Sequence, residues 1–277
     1  SLHVSLADGT RTPFSGYISA AATLGSNGGL ARYRLRITPW LWLLTQARNS
    51  RVWQDRSVTA IVDEVLQAYA PYALWRWSDE VASFMQEAGE RSYCCQYRES
   101  DYDFVRRLLT EEGLAWRFDG QTMIVFADSS QACATPEDAS SAQGGGLRFH
   151  GARVGEPGDS VQALSARRSL QVGLSSVLSY DYKAKKAVAA SVPTNTVLGG
   201  KNAPMLESYD TPGQYWYASA AQAQRYAQLQ MQSYEARAQL WQARSTVRTL
   251  RAGTRFTLTQ GPLPPADGAA SEYVVLR

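Results

Sequence analysis

Three acidic side chains lie within five positions of one another, at Glu99, Asp101 and Asp103. Such a cluster could ligate calcium, but the turn glycine and the terminal glutamate of a calcium-binding loop are missing. It could also supply the acid and base of a glycoside hydrolase, provided that the carboxylates converge across a cleft from separate elements. The alternative is that these residues begin a helix, where the macrodipole favours negative charge. We favour the helix start, and keep a hydrolase or cell-wall-cleaving module as the alternative function.

The thiols and imidazoles are few and poorly spaced for catalysis. The chain has three cysteines, Cys94, Cys95 and Cys133, and two histidines, His3 and His150. No spacing among them matches a zinc site. Adjacent cysteines on an apparent strand are typical of small buried side chains, and a lone strand histidine such as His150 is typical of a surface or satisfied core residue. We therefore predict no catalytic residue, no cofactor and no metal site, and expect that the chain is not an enzyme.

Motifs for nucleotide binding and ester hydrolysis are also missing from the sequence. Gly144, Gly145 and Gly146 are not followed by the Lys-Ser/Thr pair of a phosphate-binding loop. No Gly-x-Gly-x-x-Gly opens a helix, and no Gly-x-Ser-x-Gly turn is present to hold a nucleophilic serine. The sequence therefore favours a structural role over a catalytic one.

Residues 32–37 predict a strand with two chemically different faces, because side chains alternate along a strand. The arginines are Arg32, Arg34 and Arg36, and the apolar residues are Tyr33, Leu35 and Ile37. We expect the apolar face to meet a core. The arginines are a weak nucleic-acid signal, which we keep as a third hypothesis. A solvated face, or an interface with acidic residues, is favoured, and no nucleic-acid partner is predicted.

Composition is typical of a folded globular chain, with 277 residues of which 44% are hydrophobic and 19% charged. The length predicts two domains, or one discontinuous domain with an insertion. The net charge of +3 is too small to predict nucleic-acid binding by itself. No apolar stretch of 18 residues predicts a membrane span, and no signal peptide is recognised. The cysteine usage predicts folding in a reducing cytoplasm.

The local patterns predict an α+β protein that is mainly β, with β segments before and after a mixed middle. Residues 57–70 predict an amphipathic helix capped by Ser57. Residues 100–113 predict a second helix, capped by Ser100 and ended by Gly113. Predicted strands are 1–6, 14–23, 33–37, 114–118, 123–126, 147–154, 161–170, 177–182, 240–250, 254–259 and 272–276.

Four further segments complete the prediction. Thr38-Pro39 is predicted to begin a helix, followed by an apolar run at 40–44 that should be buried on most sides. Residues 128–146, rich in Ser, Ala and Gly, predict a linker, and residues 183–213 predict a loop. An Ala- and Gln-rich helix is predicted at 216–237, where small side chains favour close approach of its neighbours.

Three pairs of segments, in the same order along the chain, carry a family resemblance. They are 33–44 (YRLRITPWLWLL) with 50–58, 96–104 (QYRESDYDF) with 108–113, and 243–246 with 253–258. Together they resemble the VgrG spike proteins of type VI secretion, also called Rhs-element Vgr proteins, in the part related to the baseplate hub of contractile-tailed phages. The sequence departs from the family at Gln260-Gly261-Pro262, where members often carry a His-Pro pair.

The resemblance implies a homotrimeric ring in which each subunit supplies two related β-barrel-like domains. We expect the first at 1–45, lacking its first strands, an inserted α+β domain with its linker at 46–146, and the second, with the Ala-rich helix, at 147–277. The chain is then a segment of a longer protein.

The same resemblance implies a function and a set of partners. Such a ring adapts a hexameric Hcp tube to a trimeric needle and spike, with a PAAR tip and effector cargo as further partners. No stable membrane insertion is expected. The protein would be cytoplasmic during assembly and then secreted without a signal peptide.

Overall fold

The computed structural model describes residues 1–130, 134–151, 158–196, 204–262 and 271–276. The predictions for Cys133 and for residues 152–154 lie outside these residues. The strands are β1 Leu2–Ser5, β2 Arg11–Phe14, β3 Tyr17–Asn27, β4 Leu30–Thr38, β5 Arg48–Trp53, β6 Arg56–Ser57, β7 Leu74–Trp77, β8 Glu90–Arg91, β9 Cys94–Ser100, β10 Ala115–Asp119, β11 Thr122–Phe126, β12 Leu147–Arg148, β13 Val161–Arg168, β14 Leu174–Asp181, β15 Lys186–Pro193, β16 Glu207–Gln214, β17 Gln239–Ser245, β18 Arg255–Thr259 and β19 Ser271–Val274. The helices are a 3-10 helix at Trp40–Thr45, α1 Val58–Gln67, α2 Val81–Phe84, α3 Asp101–Glu111, α4 Ala139–Gly144 and α5 Ala220–Ala238.

The amino-terminal part consists of two antiparallel hairpins, β1–β2 and β3–β4. The predicted strand at 33–37 is confirmed within β4, but the expectation that its apolar face meets a core is wrong for the single chain. Tyr33 is 67% exposed and Leu35 54% exposed. The physical reason is that the apolar side chains of β4 belong to none of the three core clusters of the described residues, so no second layer covers this face there.

The 3-10 helix Trp40–Thr45 starts one residue later than the sequence predicted. Thr38 is not its cap, because Thr38 still pairs with Tyr17 in the β3–β4 ladder, and Pro39 occupies the cap position. The apolar run is buried at Trp40, Leu41 and Leu44, as expected. These side chains pack in one core with α1 and α3. The predicted domain boundaries themselves remain predictions.

The two capped helices of the middle region are confirmed. Ser57 Oγ accepts a hydrogen bond from the Ala60 amide at 3.2 Å at the start of α1. At the start of α3, Ser100 Oγ accepts from the Asp103 amide at 3.0 Å. Gly113 follows α3 with φ +74°, the left-handed conformation that glycine adopts without a Cβ clash. The three-stranded sheet β10–β11–β7 covers the other side of this core.

Two segments predicted to be irregular are ordered. Residues 139–144, expected in the linker, form α4, whose cap Asp138 accepts from the amides of Ser140 and Ser141. The Asp138 amide donates to the Arg255 carbonyl at 2.8 Å and so fastens the helix to β18. The loop predicted at 183–213 contains β15 and β16, which flank β14. Both strands were missed because their pairing is with β14, which the local pattern does not show.

The carboxyl-terminal part combines three small sheets with α5. The sheets are β12–β18–β19, β13–β17 and β15–β14–β16. The predicted Ala-rich helix is confirmed as α5, which packs on β14 and β15. Ala223 and Ala227 are fully buried there, and their small size allows the close approach. The chain is therefore mainly β with a mixed α+β middle, as predicted.

Candidate functional site

Asp101, the central residue of the acidic cluster, is buried, and neighbouring side chains bind both of its carboxylate oxygens. It is 1% exposed. Its Oδ1 accepts from Asn49 Nδ2 at 2.9 Å and from Gln96 Nε2 at 2.7 Å. Its Oδ2 accepts from Tyr69 Oη at 2.7 Å and lies 3.5 Å from Arg51 Nη2. Burial, followed by the Asp101 carboxylate, raises the pKa of Tyr69 well above its usual range. This arrangement holds β5, β9 and the α1 region together.

The other two acids, Glu99 at the end of β9 and Asp103 in the first turn of α3, pair with arginines of α3. Glu99 Oε1 accepts from Arg107 Nη2 at 2.6 Å. Asp103 Oδ1 lies 3.2 Å from Arg106 Nη2, and both side chains are about half exposed. The interpretation as a helix start is confirmed for Asp101 and Asp103, which lie in the first turn of α3 after the cap Ser100. It is wrong for Glu99, which precedes the cap and belongs to β9. Each acid serves a separate structural contact.

The thiols and imidazoles are placed apart from one another. Cys94 is buried on β9, where burial raises the pKa of its thiol, and Cys95 is half-buried beside it. The exposed His3 ring lies 3.1 Å from Ser1 Oγ. His150 is half-buried, and its backbone amide donates to the Val161 carbonyl at 2.9 Å. Within the described ranges, no three His, Cys, Asp or Glu side chains group as metal ligands.

Sequence reasoning missed a buried ionic cluster centred on Glu112, which is 1% exposed. Glu112 Oε1 accepts from Arg91 Nη2 at 2.7 Å and from Tyr226 Oη at 2.8 Å. Glu112 Oε2 accepts from Arg225 Nη1 at 2.7 Å. One signal was available: Glu111 and Glu112 end α3, where the helix macrodipole disfavours negative charge. Acidic side chains at that position therefore predict cationic side chains nearby that compensate their charge.

The Glu112 cluster fastens α5 to the α+β middle. Arg225 lies over the rings of Phe84, at 5.0 Å, and of Tyr226, at 5.4 Å. Gln222 Nε2 donates to the Ala88 carbonyl at 3.0 Å. Burial, and next the Glu112 carboxylate, raises the pKa of Tyr226 above its usual range. Contacts of this kind, buried and multiply bonded, define the orientation of the helix more strictly than apolar packing does.

A groove of about 850 Å³ lies beside this joint, between the α+β middle and α5. Its walls include Tyr93 and Trp216, both more than half exposed, and Glu111. Glu111 is paired with Arg91 at 2.8 Å. None of the three predicted acids lines the groove, so it does not supply the cleft that the hydrolase alternative requires.

The most exposed candidate surface is the β3–β4 hairpin, which presents two different faces. The apolar face consists of Ile18, Tyr33, Leu35 and Ile37, all exposed. The cationic face consists of Arg32, Arg34 and Arg36, which lie opposite Gly25, Ala22 and Ala20. The three arginines have no ion pair within the part of the chain that the structure describes. This hairpin has the character of a protein-contact element.

No described helix combines the length and the apolar character needed to cross a bilayer.

The chain is similar to curated spike proteins of type VI secretion systems. The spike protein VgrG1b of Pseudomonas aeruginosa is 28% identical over 280 residues, which cover 100% of this chain and 35% of that protein. The spike protein VgrG1a of the same organism is 26% identical over 280 residues, covering 100% of this chain and 41% of that protein. The chain thus spans less than half the length of these relatives.

Solved structures share the fold. The E. coli c3393 protein, described as a type VI secretion component similar to the T4 tail proteins gp27 and gp5, matches with a TM-score of 0.59 and 19% identity, covering 97% of this chain and 56% of that chain. The 43 kDa tail protein of prophage MuSo2 from Shewanella oneidensis matches with a TM-score of 0.60 and 12% identity, covering 96% of this chain and 74% of that chain. The phage tail baseplate hub (GPD) family model matches residues 1–277, and the chain therefore belongs to that family.

Proposed function

We propose that this chain is a structural hub segment of a type VI secretion spike, and that three copies form a ring. The observation that carries the proposal is the family match along the whole chain, with VgrG spike proteins among its relatives. The ring would adapt a hexameric Hcp tube to a trimeric needle. The β3–β4 hairpin supports this, because a sheet face with exposed Tyr33 and Leu35 is suited to burial against another subunit.

The ionic joint at Glu112 also supports a mechanical role. A hub has to transmit force between the tube and the needle without changing the orientation of its parts. Glu112 links α3 to α5 through Arg225 and Tyr226, which are over one hundred positions further along the chain. Removing one partner of such a buried charged group leaves the other charge buried without compensation, which strongly destabilises the fold. The two parts are therefore expected to move as one body.

The partners of the whole protein belong to the same proposal. By family resemblance they are the Hcp tube, the needle and spike region, a PAAR tip and effector cargo. The protein would assemble in the cytoplasm and leave the cell with the spike, by a route that needs no signal peptide.

The chain would contribute shape and symmetry matching, and catalysis would belong to other parts of the machine. The acids Glu99, Asp101 and Asp103 fit this role, since each has a structural partner.

Light scattering after size separation tests the proposal on the natural protein that carries this chain. The expected result is a mass of three subunits, with a three-fold ring visible by electron microscopy. A monomer at micromolar concentration would overturn it. A second measurement is sedimentation with assembled Hcp tubes, in which the protein should bind at the tube end. Binding along the side of the tube, or no binding, would contradict the adaptor role.

A further inference from the structure

The cationic face of the β3–β4 hairpin forms no ion pair with an acid in the described part of the chain. Arg32, Arg34 and Arg36 project from one side of β4, about 6–7 Å apart along the strand. The residues across the ladder are Gly25, Ala22 and Ala20, too small to cover the guanidinium groups. All three arginines are exposed, and none forms an ion pair within the described ranges. The face is thus flat and positively charged.

Charge is strongly segregated along the sequence around this face. From Gly9 to Gln54 there are six arginines and no acid, which makes +6. From Asp55 to Glu90 there are seven acids and two arginines, which makes −5. The small net charge of the whole chain conceals this separation. Of the six arginines, Arg51 lies 3.5 Å from Asp101, whereas Arg32, Arg34 and Arg36 share one face of β4.

Three exposed carboxylates of the acidic segment lie on the strand pair β6–β8 or next to it along the chain. The short strands β6 and β8 pair with each other, Ser57 lying opposite Glu90. Asp55 precedes β6, and Glu87 lies in the turn that leads to β8. We call Asp55, Glu87 and Glu90 the acidic rim. All three are exposed and have no ion pair in the described part of the chain. Two arginines lie on the same strand pair, where Arg56 is opposite Arg91, and Arg91 is paired with Glu111 and Glu112.

We infer that the cationic face of one copy docks on the acidic rim of the next copy in the ring. Both complementary surfaces lie on the same chain, and the cationic face has no ion-pair partner among the residues that the structure describes. Two different patches that meet between copies form a head-to-tail contact, which closes into a ring when the rotation allows it. The inference rests on the proposed function, because it names the surfaces by which the copies associate.

The occupant is a second copy, since the charge complement is present in this chain. A tube protein or nucleic acid would meet the arginines but would leave the acidic rim without a role. Complementary charge between copies also sets their register, because a wrongly rotated copy would bring like charges together. The association should weaken as salt rises, since exposed pairs are screened over about 8 Å at physiological ionic strength.

Charge reversal in the natural protein tests the inference. The double variant Arg34→Glu with Arg36→Glu should weaken association by roughly tenfold or more at low salt. The double variant Glu87→Arg with Glu90→Arg should do the same. Combining all four changes should restore association, because the face of β4 is then acidic and the rim is then basic. The two surfaces still carry opposite charge. The double variant Arg167→Glu with Arg168→Glu, at two exposed arginines of β13, is the matched control and should leave association unchanged.

The readouts are the dissociation constant by sedimentation and the melting temperature. All four positions are exposed, so the melting temperature at low protein concentration should stay that of the parent. If the parent forms a trimer but both double variants keep its affinity and salt dependence, or the combined variant fails to recover, the docking inference is wrong while the hub proposal stands. If the double variant Arg34→Glu with Arg36→Glu loses only its binding to the tube or to nucleic acid, the inference is also wrong. A parent that never associates would overturn the hub proposal itself.

Discussion

Arg225 and Glu112 lie 113 positions apart in sequence, yet Arg225 Nη1 donates to Glu112 Oε2 at 2.7 Å in a site that excludes solvent. This pair joins the end of α3 to the second turn of α5. Arg91 and Tyr226 bind the other carboxylate oxygen. One buried acid therefore makes three of the side-chain contacts that connect the end of α3 with α5 and β8.

Glu112→Gln should destabilise the protein by about 3–5 kcal/mol, because the variant keeps two arginines beside a site that has lost its negative charge. The measurement is the free energy of unfolding from urea denaturation. Glu272→Gln is the matched control, since Glu272 is 54% exposed and pairs with Arg255 at 3.1 Å. The control should lose less than about 1 kcal/mol. Equal losses in the two variants would contradict the role assigned to the buried acid.

Tyr226→Phe should alter how stability depends on alkaline pH. The folded protein raises the pKa of Tyr226 above the unfolded value of 10.0. A raised pKa means that its contribution to stability is complete below about pH 10 and is lost as the pH rises further. Unfolding measured from pH 8 to 11 should therefore show a smaller decline for the variant than for the parent. Part of the decline in stability should remain in the variant, because the pKa of Tyr69 is also raised in the folded protein.

A steeper alkaline decline in Tyr226→Phe would contradict this assignment. At neutral pH the same variant loses one hydrogen bond to a charged group, which costs about 1.5–3 kcal/mol.

Asp101→Asn should cost about 2–4 kcal/mol, since the amide cannot accept all the hydrogen bonds that Tyr69 and Gln96 now donate. Asp103→Asn is the control on the same helix, because Asp103 is about half exposed. It should cost less than about 1 kcal/mol. Thermal unfolding followed by circular dichroism compares the two. A larger loss at Asp103 than at Asp101 would show that helix-end charge, and not the buried contacts, matters more.

Gly113→Ala should destabilise the junction between α3 and α5 more than a backbone effect alone. The residue has φ +74°, and an added Cβ would lie 2.5 Å from Leu229 Cδ2. Gly120→Ala is the control, with φ +59° and no heavy atom within 4 Å of the added Cβ. We expect about 1–2 kcal/mol for Gly120→Ala, from the left-handed backbone. Gly113→Ala should lose at least about 1 kcal/mol more. Similar losses would mean that Leu229 moves aside freely.

Leu35→Ser should leave the folding of a single chain nearly unchanged but weaken the proposed ring. Leu35 is 54% exposed in the chain alone, so its replacement should change the unfolding free energy by less than about 0.5 kcal/mol at low concentration. If the apolar face is covered by another copy, the dissociation constant should rise about tenfold. Leu170→Ser, at a residue 53% exposed outside the hairpin, is the control. An unchanged dissociation constant for Leu35→Ser would show that the apolar face is not part of the interface between copies.

Features that depend on near neighbours were predictable from sequence. The caps at Ser57 and Ser100 and the helix end at Gly113 were correct because each is decided within four residues by hydrogen bonding or by the steric limits of one backbone. The alternation in β4 was also correct as a strand pattern. It could not show whether the apolar face is covered, since that depends on what packs against it.

The tertiary structure decided the pairings between distant segments. β16 was missed because it is an edge strand containing Pro212, and it pairs in parallel with β14 across a long connection. Glu112 was missed as a site because its partners lie on β8 and α5, and neither neighbours it in sequence. The sequence by itself determined the local elements and the family resemblance. Only the folded chain decided which charges are buried together, because burial and ion pairing depend on distances in space that residue spacing does not specify.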